Sequence, residues 1–222
     1  MTLEKIRAIG FDLDQTLYPK SQEIDEAIQN YIFKEIADHK KCSTKEARTL
    51  FLSHYTSKSG REALCEIGIP KTKASEIIQQ ALEAADLSKY LKPDERVKRL
   101  LKALRSNYSL ALITGSHKDN AEKKLRLLEI PSDTFDIKIY GNVSKRDGSA
   151  FKKWMSTRPE LEAEQFLYVG DRVSTDIEPA IRLGIKAILV GSEETICPQV
   201  PRISSIIQLS RELDISRISR NL

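Results

Sequence analysis

The chain has 222 residues, enough for one medium α/β domain and a small second one. A charged fraction of 31% and a mean hydropathy of −0.39 are typical of a soluble globular protein, and no apolar run is long enough to span a bilayer. The net charge of +4 suits a small anionic substrate but is too weak to indicate nucleic acid.

The N-terminus and the cysteines indicate the compartment. Residues 1–7 lack the continuous apolar stretch and the cleavage site of a secretory signal. Cys42, Cys65 and Cys197 lie far apart and form no C-x-x-C pair, which favours reduced thiols and indicates neither a zinc site nor a disulfide framework. We therefore expect a cytoplasmic protein. From the charge and hydropathy above we expect neither a membrane nor nucleic acid as a partner, and we expect a monomer or a homodimer.

Apolar, β-rich runs alternate with amphipathic helical patterns along most of the chain. This alternation predicts an α/β, Rossmann-like core, a mostly parallel sheet with helices on both faces. The predicted core strands are 6–12, 109–114, 135–140, 165–169 and 186–190. The predicted helices between them are 93–105, 119–128 and 174–183, the last of which ends at Gly184.

Residues 21–91 interrupt this alternation. They contain no strand-like run, only helical periodicity, as in Ile24, Ile28, Ile32 and Ile36, with helix-stop signals near Gly60 and at residues 68–70. We expect them to fold as an inserted α-helical module above the strand ends, where open α/β sheets bind substrates. The core would then comprise residues 1–20 and 92–222.

The first strand ends in an Asp-x-Asp-x-Thr signature formed by Asp12, Asp14 and Thr16. Because side chains of a strand repeat every two residues, the two carboxylates project in similar directions. Such a pair repels unless a cation or a shared proton compensates it, and its oxygen atoms suit Mg²⁺. A carboxylate can also attack phosphorus, and Thr16 adds a hydroxyl beside the site. The alternative is an Asp-rich turn after a buried strand.

A second segment, Thr114, Gly115 and Ser116, follows the strand 109–114. It supplies a hydroxyl group and then a glycine whose backbone N–H can approach a bound anion closely. The alternative is an ordinary strand-to-helix loop in which Ser116 or a neighbour caps the next helix.

Two later segments carry further charges. In residues 140–147, Lys145 could neutralise both a nucleophile and a phosphate, or could be a solvated loop lysine. In residues 166–176, a strand ends before Asp171, which can complete an oxygen-rich Mg²⁺ shell, with Asp176 in a supporting position. Asp176 also suits the N-terminal turn of a helix through the macrodipole.

These four segments, in this order, resemble those of the haloacid dehalogenase-like (HAD) hydrolase superfamily over nearly the whole chain. The resemblance implies that Asp12 is the nucleophile, Asp14 the general acid/base, Thr114 the phosphoryl-binding hydroxyl and Lys145 the stabilising cation. It further implies that Mg²⁺ is held by Asp12, Asp14, Asp171 and Asp176. The interval 21–91 resembles the family's small α-helical cap.

The chain departs from the family pattern in two places. Arg146 stands where the family often has proline after the lysine, although Phe151 keeps the usual distance from Lys145. Lys152 and Lys153 therefore remain rivals for the role of Lys145. Gln15 stands where family members frequently have asparagine or glycine.

Asp14 favours a phosphatase or phosphomutase over a dehalogenase, because the dehalogenases of the family lack an acid two residues after the nucleophile and need not protonate an alkoxide. Residues 12–19, which end in Leu-Tyr-Pro, resemble the first motif of pyrimidine 5′-nucleotidase-like members. Those members also carry a motif in the cap, and residues 54–61 of this chain match it only in part. We expect a Mg²⁺-dependent phosphatase acting on a small phosphorylated metabolite.

The substrate is open at this stage. The first candidate is a pyrimidine nucleoside 5′-monophosphate. The alternative is a sugar phosphate, with phosphatase or phosphomutase chemistry. The least favoured hypothesis is that the protein is a non-catalytic binding protein. We expect Thr16, Gly115 and Ser116 to contact the substrate. We also expect contacts from Lys58 and Arg61, which lie in the Gly60-containing break between cap helices. The alternative is that these two cations are solvated loop residues with no role in binding.

Overall fold

The computed structural model describes residues 3–19, 21–55, 59–191 and 200–213. The chain divides into two compact units. The helical unit is Ser21–Tyr90, and the core unit joins Met1–Lys20 to Leu91–Leu222. Within the described ranges, none of the helices combines the length and the apolar character that a membrane span requires.

In its described residues, 21–55 and 59–90, the helical unit contains four α-helices and a short 3₁₀ turn. They are α1 (Gln22–Lys40), α2 (Thr44–His54), α3 (Gly60–Glu66), α4 (Lys71–Ala84) and the turn Leu87–Lys89. Apolar side chains from all four helices form one buried cluster that includes Ile32, Phe33, Ile36, Phe51, Leu64 and Ile77. The predicted isoleucine periodicity therefore belongs to α1, where Ile24, Ile32 and Ile36 are buried.

The ends of these helices follow local capping chemistry. Helix-stop signals were predicted near Gly60: α2 ends at His54, and Gly60 itself is the first residue of α3. Ser59 caps it, because the Ser59 hydroxyl accepts from the Glu62 N–H while the Glu62 carboxylate accepts from the Ser59 N–H. Gly68 does follow the end of α3, with a φ of +91° that favours glycine.

The core unit is built on a six-stranded sheet in which all described pairings are parallel. Its strands are β1 (Ala8–Phe11), β2 (Ser109–Ile113), β3 (Ile137–Ile139), β4 (Phe166–Gly170), β5 (Lys186–Val190) and β6 (Arg202–Ile203). Their order is β3-β2-β1-β4-β5-β6. The order reverses at β1, which pairs with both β2 and β4, and such a reversal opens a crevice at the carboxyl ends of the strands. The predicted fold class is confirmed.

The α-helices of the core unit lie between or after its strands along the described chain. They are α5 (Glu95–Arg105), α6 (Lys118–Leu127), α7 (Ser149–Met155), α8 (Glu178–Arg182) and α9 (Leu209–Glu212). Short 3₁₀ turns lie at Ser132–Thr134, Ala163–Gln165 and Ile206–Gln208. The predicted helix 174–183 is replaced by a π-helical turn, Val173–Ile177, followed by α8, and Gly184 ends it with a φ of +80°.

The side chain of Trp154 covers one face of the central strands β1 and β4. Trp154 of α7 packs edge-on against Phe166, with ring centroids 4.9 Å apart. The same indole lies against Gly10, where an added Cβ would approach it to 2.9 Å. Gly10 therefore lets α7 approach β1 closely, directly below the residues that follow this strand.

Candidate active site

Asp12 and Asp14 follow β1 in a tight turn. The Asp12 N–H continues the sheet by donating to the Val169 carbonyl at 2.9 Å, and the Leu17 N–H closes the turn onto the Leu13 carbonyl at 3.0 Å. Asp12 is buried, whereas the side chain of Asp14 keeps 32% of its surface exposed. The turn therefore separates the two carboxylates into different surroundings.

Asp12 lies with three other predicted site residues. Lys145 Nζ donates to Asp12 Oδ1 at 2.8 Å and to Asp176 Oδ1 at 2.5 Å, and it also contacts the Tyr168 hydroxyl at 3.3 Å. Asp171 completes the group. Lys152 and Lys153, the rival lysines, are exposed on α7. The geometry therefore favours Lys145 over both rivals.

The π-helical turn after β4 brings Asp176 back to the strand end. Its Oδ2 accepts from the Arg172 N–H at 3.0 Å, and Asp176 is fully buried. A helix of ordinary pitch was predicted here. The structure instead has a wider π-helical turn, in which the Glu178 N–H donates to the Val173 carbonyl five residues earlier. Asp176 lies within this turn.

Asp12, Asp171 and Asp176 can supply one carboxylate oxygen each to a common cation, since these atoms lie within 4.8 Å of one another. Three carboxylates this close repel one another unless positive charge compensates them, and one lysine does so only in part. A set of hard oxygen donors fits Mg²⁺. This group differs from the predicted ligand set, because the Asp14 carboxylate is not in it.

The electrostatics of Asp12 and Asp171 agree with this reading. Burial raises the pKa of Asp12 to about 6 against the opposing charge of Lys145, and the charges of Asp176 and Asp14 add to the increase. Burial together with the charges of Asp12 and Asp176 raises the pKa of Asp171 to about 8. Both carboxyl groups are thus harder to ionise than an ordinary aspartate, and a cation held at this cluster would favour their ionised forms.

Asp14 is held by three donors. The Tyr18 hydroxyl and Lys124 Nζ donate to its Oδ1, each at 2.5 Å, and the Ser116 hydroxyl donates to its Oδ2 at 2.8 Å. Burial opposes ionisation of this carboxyl, but the charge and hydrogen bond of Lys124, with the hydrogen bonds from Tyr18 and Ser116, outweigh it and lower the pKa of Asp14 to about 2. The two aspartates therefore differ in electrostatic environment although they are two residues apart.

Sequence reasoning missed Tyr18 and Lys124 as partners of Asp14. A signal existed for Lys124: it falls at helical spacing with Ala121, Leu125 and Leu128, all buried, so the pattern places a lysine on an inward face. The structure buries Lys124 as that spacing requires.

The loop after β2 holds Thr114, Gly115 and Ser116 beside this pair. Thr114 is buried, its N–H donates to the Ile139 carbonyl at 2.9 Å, and its hydroxyl accepts from the Ser116 N–H at 3.1 Å. Ser116 does not cap α6; His117 holds the N-cap position without a side-chain hydrogen bond. In the described part of the chain, no heavy atom lies within 4 Å of a Cβ built on Gly115, so the space beside this backbone is open.

The remaining predicted substrate residues differ in their placement. Thr16 is buried, and among the described residues its hydroxyl oxygen has no hydrogen-bond partner. Arg61 is exposed in the first turn of α3, not in an interhelical break as predicted, because Ser59 starts the helix earlier. Lys58 lies outside the described residues.

Comparison with known proteins gives a family match and solved structures of the same fold. A family model described as haloacid dehalogenase-like hydrolase matches residues 9–190. A HAD phosphatase from Thermococcus onnurineus is 20% identical, with a TM-score of 0.68 over 94% of this chain and 98% of that one. A 2-haloacid dehalogenase from Pseudomonas syringae is 20% identical, with a TM-score of 0.57 over 95% of this chain and 99% of that one.

A HAD hydrolase from Bacillus subtilis, solved bound to magnesium, is 16% identical, with a TM-score of 0.60 over 94% of this chain and 99% of that one. At these identities the structures show a shared fold and leave the reaction open. The family model, in contrast, covers most of the chain and every motif residue that follows β1, β2 and β4. The chain therefore belongs to the haloacid dehalogenase-like hydrolase family.

Proposed function

We propose that this protein is a Mg²⁺-dependent phosphatase that hydrolyses small phosphate monoesters through a phosphoryl group carried on Asp12. The observation that carries the proposal is the contrast between Asp12 and Asp14: the first lies in the acidic cluster with Lys145, and the second is bound by neutral and cationic donors. Pairs of carboxylates in contrasting environments are typical of acid/base and nucleophile pairs. A dehalogenase would have no use for Asp14 as a proton donor.

In the first half-reaction, an oxygen of Asp12 forms a bond to phosphorus as the ester oxygen leaves with the bonding electron pair. The leaving oxygen takes a proton from Asp14. Asp14 is ionised in the arrangement described above, and it has to be protonated before this step. A phosphate dianion bound beside it favours that, because a nearby negative charge raises the pKa of a carboxyl.

In the second half-reaction, water attacks the phosphorus and gives its proton to Asp14, which releases inorganic phosphate and regenerates Asp12. Lys145 would offset negative charge at Asp12. The Gly115 backbone and the Thr114 hydroxyl, which follow the adjacent strand β2, would bind phosphoryl oxygens. Asp12, Asp171 and Asp176 would hold Mg²⁺, which supplies charge neutralisation and polarises a phosphoryl oxygen when bound.

For the substrate, we propose a nucleoside 5′-monophosphate, with pyrimidine nucleotides first. The support is the Leu17-Tyr18-Pro19 end of the first motif, which resembles nucleotidase-like members and whose Tyr18 hydroxyl binds Asp14. A sugar phosphate is the alternative.

The test is release of inorganic phosphate by purified protein with Mg²⁺. The panel comprises pyrimidine and purine nucleoside 5′-monophosphates, sugar phosphates, p-nitrophenyl phosphate and, as a competing chemistry, 2-haloacids assayed for halide release. Chelation should abolish phosphate release and Mg²⁺ should restore it. Asp12→Asn is the matched inactive control, since an attacking carboxylate has no substitute. Halide release without phosphate release would overturn the proposal.

A further inference from the structure

Lys124 stands apart from the residues used so far. It lies in the seventh position of α6, on the face that also buries Ala121 and Leu125. Its side chain is 4% exposed, whereas the Asp14 side chain to which it is bound is 32% exposed. The Lys124 ammonium is thus buried while the Asp14 carboxylate is partly exposed to solvent, as expected if Lys124 stabilises Asp14 from the protein interior.

The reach of this lysine follows from helix geometry. Side chains on an α-helix point back toward its N-terminus, so Lys124 runs along α6 toward the loop that precedes the helix. There Nζ meets two acceptors, Asp14 Oδ1 at 2.5 Å and Ser116 Oγ at 3.1 Å. Ser116 and Asp14 lie 102 residues apart in sequence, and Lys124 binds both.

The hydrogen-bond directions leave little freedom to the Asp14 carboxylate. Because Lys124 donates to Ser116 Oγ, the serine hydroxyl hydrogen is turned away from the lysine, and it is donated to Asp14 Oδ2 at 2.8 Å. The ammonium group therefore holds Oδ1 directly, together with the Tyr18 hydroxyl, and holds Oδ2 through Ser116. Donors on both oxygens define the plane of the carboxylate as well as its position.

We propose that Lys124 is a positioning residue for the phosphatase reaction proposed above: with Ser116, it holds the Asp14 carboxylate in the orientation from which Asp14 exchanges a proton with the leaving group and with water. In this proposal Lys124 acts only through Asp14 and contacts neither the leaving group nor the attacking water. The inference rests on the proposed function, and it adds that Lys124 orients the carboxylate that transfers the proton.

The test compares Lys124→Met with wild type on two substrates, an alkyl phosphate monoester and p-nitrophenyl phosphate. A complete loss of general acid/base catalysis costs about 10²–10⁴-fold, so a displaced Asp14 should lower kcat for the alkyl ester by about tenfold or more. The aryl ester, whose leaving group needs less protonation, should lose less than about threefold. KM should change little for either substrate.

Several variants separate positioning from a structural role. Lys123→Met, the neighbouring lysine on α6, is the matched control and should behave as wild type. Lys124→Arg keeps the charge and the donors and should recover part of the alkyl-ester kcat. If Lys124→Met does not fold, Lys124→Gln and Ser116→Ala serve instead, since each removes one part of the hydrogen-bonded group. In the double variant Ser116→Ala/Lys124→Met the losses should be less than additive.

A crystal structure of Lys124→Met gives a readout that does not depend on activity, and it should show Asp14 turned away from Ser116. Equal losses of kcat on both esters, or an unchanged kcat with Asp14 in its original orientation, would overturn the inference while leaving the phosphatase proposal intact. A wild-type protein that releases phosphate from no monoester would instead defeat the proposed function, and the orientation of Asp14 in the variant would still decide whether Lys124 holds it.

Discussion

Gly170 and Asp176 are in such close contact that no side chain fits at residue 170. A Cβ built on Gly170 would lie 2.6 Å from both the Cβ and the carboxyl carbon of Asp176, and 2.7 Å from its Oδ2. Gly170 is the last residue of β4, and Asp176 reaches it through the π-helical turn. The position of one of the three clustered carboxylates therefore depends on the absence of a side chain on the strand.

We predict that Gly170→Ala weakens both Mg²⁺ binding and folding. The added methyl group must push Asp176 away from Lys145, and overpacking of this kind costs about 1–3 kcal/mol of stability. Displacement of a group that supports a metal site typically costs about 10–100-fold in metal affinity. A Mg²⁺ titration, by calorimetry and by activity, measures the loss. Ser174→Ala, at an exposed position in the same turn, is the control and should titrate as wild type.

The sequence could predict that Asp12 and Asp171 gather, with Asp176 in support, because the carboxyl ends of parallel strands meet at one edge of a sheet, whereas the choice of Lys145 over Lys152 and Lys153 stayed open. It could not predict the partners of Asp14. Helical spacing places Lys124 on the inward face of α6, but the acceptor that its long side chain reaches depends on how α6 packs against the loop after β1, and no local motif encodes that packing. The strand β6 was missed because a strand of two residues has no periodicity.

A second prediction concerns the pH dependence of the metal-free protein. The pKa of Asp171 is raised to about 8 and that of Asp12 to about 6, whereas an aspartate in the unfolded chain ionises near about 3.9. Between these values the folded state binds more protons than the unfolded one, so stability falls as the pH rises from about 4 to about 8. Thermal unfolding with a chelator present should show Tm falling over this window.

Mg²⁺ should reverse this trend, because it binds the ionised carboxylates. The increase in Tm at saturating Mg²⁺ should be larger at about pH 8 than at about pH 5. Asp171→Asn should show a smaller pH-dependent decline without metal and a weaker response to Mg²⁺. An increase in Tm that is the same at both pH values would contradict the assignment of Mg²⁺ to this cluster.

A third prediction separates two glycines that lie against each other. A Cβ on Gly141 would come within 2.1 Å of the Gly115 carbonyl oxygen, and the Gly141 N–H donates to the Ser116 carbonyl at 2.9 Å. Since the obstacle is backbone, Gly141→Ala should cost up to about 3 kcal/mol in the free energy of unfolding.

Gly115→Ala should leave stability within about 0.5 kcal/mol, because its Cβ would enter open space. Its KM for phosphate monoesters should nevertheless rise, since the methyl group keeps a bound phosphoryl group from the backbone N–H. Chemical denaturation and steady-state kinetics on both variants decide the matter. An unchanged KM for Gly115→Ala would show that phosphate does not approach this backbone.

The last prediction concerns Gln15, the residue between Asp14 and Thr16. Its φ of +59° lies in the left-handed region, which explains why the family pattern has asparagine or glycine at this position. Gln15→Asn should therefore raise Tm, because asparagine adopts this conformation more readily. Gln15→Val should cost about 1 kcal/mol or more, because a β-branched side chain is strained there. Lys118→Val, an exposed position in the first turn of α6, controls for the general cost of placing valine at an exposed site in the core unit. If the Asn and Val variants unfold at the same temperature, the backbone of residue 15 does not hold the turn that separates Asp12 from Asp14.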